Sequence, residues 1–187
     1  HALARVGATT RVARAGAGLA GSPAVLRPGV GAFRDGMRAL GDRDMIPALQ
    51  AHAGAGRPLL GICLGMQLLA SEGEEGGPGA GLGLVPGRVR RIVPPDPDTR
   101  VPNIGWCDVV PRDAEGPVPE GGCFYFAHSY EFVPDDVRVV TAEHEVGRPV
   151  VSAVRHASVS GVQFHPEKSQ DDGLAVLDGF RREALAA

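Results

Sequence analysis

Read for the spacing of its apolar positions, the chain alternates between short apolar runs and amphipathic stretches. The run Leu59–Cys63 (LLGIC) is entered from Pro58 and is too short for a helix, which predicts a buried strand. Leu64–Ala70 then reads as a helix that packs Leu68 and Leu69, so strand, sharp turn and helix come in order. Upstream, Arg11–Arg14 and Ala24–Leu26 read as short strands, and Arg34–Leu40 and Met45–His52 as helices. Glu72–Gly87, centred on EEGGPGAGLGLVPG, reads as a loop before a strand at Arg88–Val93. Further strands are predicted at Gly105–Val110, Cys123–Tyr130, Val137–Ala142, Pro149–His156 and Ser158–Phe164. A closing helix over Asp171–Leu185 puts Leu174, Leu177 and Phe180 on one apolar face. No internal repeat and no linker-like segment interrupts this α/β rhythm.

Composition narrows the reading. At 187 residues and 43% hydrophobic, the chain suffices for one sizeable core, and a single domain over residues 1–187 is expected. A formal charge of −3 gives no global attraction to nucleic acid or to an acidic membrane surface. No apolar run approaches the about eighteen residues of a membrane helix, and HALARVGATTRVAR has no signal-peptide core. The three cysteines, Cys63, Cys107 and Cys123, have neither disulfide-framework nor zinc-knuckle spacing, which fits a reducing cytoplasm. Lys168 is the only lysine beside many arginines, a bias of composition rather than of mechanism.

Chemistry concentrates in two motifs, GICLGMQ at Gly61–Gln67 and GVQFHPE at Gly161–Glu167. Gly61 and Gly65 flank Cys63 two residues away on either side, so neither carries a side chain to obstruct a tight strand-to-helix reversal. A thiol on such a nucleophile elbow lies near the free N–H groups of the next helix, which favour the thiolate, and the N–H of Leu64 is placed to face an oxyanion. A lone G-x-C-x-G is equally compatible with an inert core cysteine. The second motif decides between them, because a thiolate nucleophile needs a base and a group to orient that base. His165 and Glu167 supply both. Pro166 between them favours an extended segment, in which side chains two apart point the same way. His52, His128, His144 and His156 read as structural or solvent-facing, and their spacing matches no metal motif.

These residues carry a resemblance. The chain resembles the class I, triad-type glutamine amidotransferases, and among them the family of glutaminase subunits of imidazole glycerol phosphate synthases. Pro28-Gly29-Val30-Gly31-Ala32-Phe33, Gly61–Leu69, Gly81-Leu82-Gly83, Val101–Trp106 and Tyr125-Phe126-Ala127-His128-Ser129-Tyr130 match the subfamily pattern in order. The resemblance implies a three-layer α/β fold with a mostly parallel central sheet. It implies hydrolysis of the glutamine side-chain amide with no cofactor and no metal: Cys63 attacks, His165 protonates the departing ammonia and Glu167 orients His165. By the same matching, the N–H groups of Val30 and Leu64 form the oxyanion hole, and Gly31, Gln67 and Glu75 hold the substrate L-glutamine. The implied partner is a separate (β/α)₈ cyclase subunit that receives the ammonia. Pro102–Trp106 and Tyr125 would lie at its docking surface, although aromatic residues in strands are more often buried. PGVG on its own reads as a β-turn, and Glu75 on its own as a solvated loop carboxylate.

Three departures from the pattern stand out. Asn103 and Cys107 replace a histidine and an asparagine in P-H-x-G-W-N, and Arg27 precedes Pro28 where an apolar residue is usual, so its charge is expected to point outward or to mark a shifted register. Members of the family also open with a buried strand and a glycine-asparagine turn, whereas His1–Gly7 resembles the end of the next helix in the family pattern. The expected opening strand is therefore missing from this sequence, with unpaired edges as the anticipated consequence. Three other readings compete. One is a glutaminase subunit of the anthranilate or aminobenzoate synthase type, one a noncatalytic scaffold subunit, and one a cysteine peptidase on the same elbow.

Overall fold

A computed structural model describes residues 1–187. Its organising strand is β2 (Leu59–Cys63), buried at every position, as a strand covered on both faces must be. β1 (Val25–Gly29) pairs with it in parallel on one side and β11 (Val159–Val162) in parallel on the other. The registers Gly29↔Cys63 and Ile62↔Val162 bring the carboxyl ends of all three strands to one edge. Residues just beyond the strand ends therefore meet there: Val30 after β1, Leu64 after β2 and His165 after β11.

From β11 the sheet continues through β10 (Pro149–His156), β9 (Val140–Glu145), β6 (Asn103–Pro111) and β7 (Gly122–His128), in the order β1-β2-β11-β10-β9-β6-β7. All four of these further pairings are antiparallel. The α/β architecture with flanking helices is as expected, but the sheet is mixed rather than mostly parallel. The reason is connection length: only Ala157 and Ser158 separate β10 from β11, and a link that short joins antiparallel strands. A second, small sheet runs β4-β3-β5-β8, from β3 (Glu72–Gly73), β4 (Gly79–Ala80), β5 (Gly87–Arg91) and β8 (Tyr130–Pro134).

Alternation along β2 divides the core. Leu59 joins Phe33, Leu40, Leu49, Met66 and Leu68 on the face covered by α2 (Phe33–Gly41), α3 (Met45–Gly54) and α4 (Leu64–Gln67). Leu60 and Ile62 join Phe124, Phe164, Val176 and Leu177 on the face covered by α5 (Gln170–Ala186). Ala2, Leu3 and Val6, from α1 (Ala2–Arg5) and its C-terminal turn, pack at the margin of that second core.

Several local expectations change. Arg11–Arg14 is irregular, with Val12 83% exposed, because no strand pairs with it and β1 is the edge of the sheet. The helix after Cys63 ends at Gln67, and Leu68–Ala70 continue it only as hydrogen-bonded turns. Glu72–Gly87 holds β3 and β4 instead of a structureless loop. The strand expected over Cys123–Tyr130 breaks at Ser129, and its continuation, β8, belongs to the second sheet. Val137–Val139 is a 3-10 turn before β9.

Candidate active site

Cys63 ends β2 with φ 54° and ψ −115°, a conformation that L-residues rarely adopt and that cysteine holds here because the strand must turn at once into α4. The turn is possible only without side chains beside it. A Cβ on Gly65 would lie 1.9 Å from the Arg27 carbonyl oxygen, and one on Gly61 would lie 2.5 Å from that of Gly65. Both glycines are therefore required by close backbone approach, as the motif predicted.

His165 comes three residues after β11 and is 5% exposed. Its Nδ1 donates to Glu167 Oε1 over 2.8 Å, leaving Nε2 for Cys63. The segment is not extended as predicted: Pro166–Lys168 forms a 3-10 turn, since proline's fixed φ suits a first helical position. Glu167 reaches back across that turn. Ser169 fixes the turn in place, its hydroxyl donating to the His165 carbonyl at 2.7 Å and accepting from the Tyr125 N–H at 3.0 Å. The His165 N–H in turn donates to the Tyr125 carbonyl at 2.9 Å, so β7 anchors the imidazole from both ends.

The electrostatics derive from this geometry. The hydrogen bond with Cys63, then that with Glu167, outweigh burial and push the His165 imidazolium up to about 9. For Glu167, burial raises and the His165 hydrogen bond lowers, and the net result lies below the usual glutamate range. His165 is thus held protonated at neutral pH beside the sulfur.

The structure brings the other expected residues to the same edge. Val30 is 80% exposed on the loop after β1, with Gly31 at φ 96°. That loop lies against the elbow, as a Cβ on Gly29 would fall 3.1 Å from Leu64 Cβ and 3.2 Å from the Gly65 nitrogen. Glu75 caps the start of α2: its Oε2 accepts from the Phe33 N–H at 3.2 Å, and its carbonyl from Arg34. Burial raises Glu75 above the usual carboxylate range despite the Phe33 bond and the nearby Arg91. It is a half-buried carboxylate beside the Val30 loop. Gln67 is 4% exposed, and its amide nitrogen donates to the Gln163 Oε1 at 3.0 Å and to the Tyr130 carbonyl at 3.3 Å. Only its oxygen is without a protein partner. Arg27 neither points outward nor shifts the register. It pairs opposite Gly61 and is half-buried, with Nε lacking a partner, and desolvation, then Arg43, lowers its pKa.

Asn103 has a role that the sequence concealed. Its amide nitrogen donates to His128 Nε2 at 3.2 Å and to His144 Nε2 at 3.1 Å. His128 Nδ1 donates to the Tyr130 carbonyl at 2.9 Å, and His144 Nδ1 lies 2.8 Å from Ser152 Oγ. One amide thus serves two buried, neutral imidazoles. Burial lowers His128, and burial with the neighbouring His128 lowers His144 to about 3. On the opposite face of β6, Ile104, Trp106 and Val110 are 63%, 49% and 64% exposed. Trp106 packs edge-on to Tyr125, with centroids 6.0 Å apart, and Lys168 Nζ sits 5.3 Å from the Tyr125 ring centre.

A cysteine on a strained strand-to-helix turn, faced by a carboxylate-held histidine at the carboxyl edge of parallel strands, is the layout of the cysteine-dependent α/β amidotransferases. Comparison narrows the class. Residues 13–181 match the family described as Glutamine amidotransferase class-I, and the chain belongs to that family. Among relatives, "Imidazole glycerol phosphate synthase subunit HisH" of Zymomonas mobilis is 48% identical over 158 residues, covering 83% of this chain and 74% of that one. The protein of the same name from Moorella thermoacetica is 43% identical over 182 residues, 96% of this chain and 85% of that one. A crystal structure of a glutamine amidotransferase shares the fold, with a TM-score of 0.76 and 23% identity over 98% of this chain and 90% of that chain.

Proposed function

We propose that the chain is the glutaminase subunit of an imidazole glycerol phosphate synthase, releasing ammonia from L-glutamine for a (β/α)₈ cyclase subunit. The observation that carries the chemistry is the positive-φ Cys63 beside a His165 whose Nδ1 is held 2.8 Å from Glu167. The Cys63 thiolate attacks the side-chain carboxamide carbon, and the negative charge passes to the carbonyl oxygen, which the Val30 and Leu64 N–H groups receive. As the tetrahedral adduct collapses, the C–N bond breaks and His165 gives its proton to the leaving nitrogen, releasing ammonia and leaving a thioester. Neutral His165 then takes a proton from water, whose oxygen attacks the thioester; glutamate departs and the thiolate–imidazolium pair is restored. Glu75 offers its free oxygen to the substrate α-ammonium, and Gly31 and the Gln67 oxygen complete the glutamine site.

Free ammonia is protonated in neutral water and loses its nucleophilicity, so a covered exit is needed. The exposed apolar row Ile104, Trp106 and Val110, with Tyr125 and Lys168 beside it, supports docking of the cyclase on the outer face of β6 and β7. The relatives' names favour this acceptor over an aminobenzoate-type partner. The test is glutamate release from glutamine by the chain mixed with the cyclase subunit and its nucleotide ligand, beside Cys63→Ala. Release that requires Cys63 and rises with the cyclase supports the reading, whereas release retained in Cys63→Ala, or none from a folded complex, overturns it.

A further inference from the structure

Gln163 stands two residues before His165, wholly buried, and its N–H donates to the Ser152 carbonyl at 2.8 Å. Its side chain belongs to neither core. The amide nitrogen lies 3.7 Å from Cys63 Sγ, and the amide oxygen accepts from Gln67 Nε2 at 3.0 Å.

The orientation of this amide is fixed by its surroundings. The Tyr130 carbonyl can only accept, so the end of Gln67 that faces it, at 3.3 Å, must be the NH₂ group. That NH₂ also faces Gln163, so the Gln163 atom opposite must be oxygen. The remaining end of Gln163, aimed at the sulfur, is therefore its NH₂. The Tyr130 carbonyl is itself held by β8 and accepts from His128 Nδ1 at 2.9 Å, so the first link cannot turn over without breaking a buried bond.

We infer that Gln163 is a further catalytic residue: its amide N–H, oriented through Gln67 and Tyr130, donates to the Cys63 sulfur, favours its anion as the nucleophile and aims it along the elbow. An N–H donor aimed at sulfur stabilises the anion more than the thiol, and the anion is the nucleophile. His165 must withdraw to serve the leaving nitrogen and then water, while Gln163 stays on the sulfur throughout. The labour is thus divided, with His165 moving the proton and Gln163 restoring the thiolate as the thioester breaks. The inference rests on Cys63 being the nucleophile.

The test is the rate of iodoacetamide alkylation at Cys63, read by peptide mass mapping at neutral pH without glutamine or partner. Gln163→Met fills similar volume without a donor, and Cys63 alkylation should slow about tenfold while Cys107 and Cys123 react as before. In the complex with the cyclase, kcat should fall by a similar factor. Should Gln163→Met lose its native circular dichroism, Gln67→Met carries the same test, because it frees the Gln163 amide to turn its oxygen to the sulfur. Slowed alkylation of Cys63 in that variant supports the inference, and an unchanged rate in whichever folded variant is measured overturns it. Because alkylation requires no glutaminase turnover, this failure is distinct from failure of the glutaminase reading, which Cys63→Ala decides.

Discussion

His165 donates its Nδ1 hydrogen to Glu167 Oε1 over 2.8 Å within a single 3-10 turn, so one short segment sets the tautomer, tilt and charge of the ring that faces Cys63. The backbone that carries both side chains is held in place, because Ser169 ties the same turn to β7. Such close coupling makes the pair sensitive to single substitutions.

Glu167→Gln should shift the alkaline limb of glutaminase activity. His165 is raised to about 9, so its imidazolium persists through neutral pH and is lost as pH rises through that value. Removing the carboxylate removes part of that stabilisation, so the limb should move to lower pH, by about one unit, with kcat reduced. The pH profile of kcat, measured with the cyclase present, checks this. The stability contribution carries the same sign: it is complete below the unfolded histidine value and disappears as pH rises through about 9.

Gly65→Ala and Gly179→Ala should act in opposite directions. A Cβ at Gly65 meets the Arg27 carbonyl oxygen at 1.9 Å, and backbone on both sides must move, at a cost of about 3 kcal/mol or loss of the fold. Gly179 lies inside α5 with nothing within 4 Å of its Cβ position, so alanine there should stabilise by about 0.5–1 kcal/mol. Urea unfolding of the two variants measures both.

Asn103→Leu keeps the shape at the head of β6 but removes the donor that His128 and His144 share. Two buried ring nitrogens then lack a partner, and unfolding free energy should drop by about 2–3 kcal/mol. Urea midpoints at neutral pH give the comparison.

Acid should weaken the fold through the same histidines. Both are lowered in the folded chain, His144 to about 3, so the unfolded chain binds protons more readily below the ordinary histidine value of 6.5. Stability is accordingly complete above about 6.5 and declines as pH falls from there toward about 3. Urea midpoints across that interval should fall, and His144→Gln should flatten the slope.

Much of this arrangement was legible in the sequence. LLGIC announced a buried strand because five apolar or small residues come directly after a proline, and the glycines beside Cys63 announced the turn because backbone must pass there. His165 and Glu167 were legible as a pair because only one residue separates them in the chain. The mixed direction of the sheet was not read from the sequence, although strands predicted in succession from Gly105 to Phe164 with no helix between them, the last two parted by Ala157 alone, carried the antiparallel signal. The Asn103–His128–His144 cluster left no local trace, since His128 and His144 lie 25 and 41 positions from Asn103 and meet it only because β6 pairs with both β7 and β9. Gln163 stood in full view within GVQFHPE. Its role emerges only from the fixed direction of a hydrogen-bond chain that begins at the Tyr130 carbonyl.

Attack of Cys63 on the side-chain carbonyl of glutamine underlies every step of the proposed chemistry, and covalent trapping interrogates it without relying on turnover. The chain, bound to the cyclase, is treated with a chloroketone analogue of glutamine and mapped by mass spectrometry. One adduct is expected, on Cys63, blocked by excess glutamine, slowed in Glu167→Gln and absent from Cys107 and Cys123. An adduct that forms equally on Cys107 or Cys123, or labelling of Cys63 that glutamine does not prevent, would refute the assignment of Cys63 as the nucleophile.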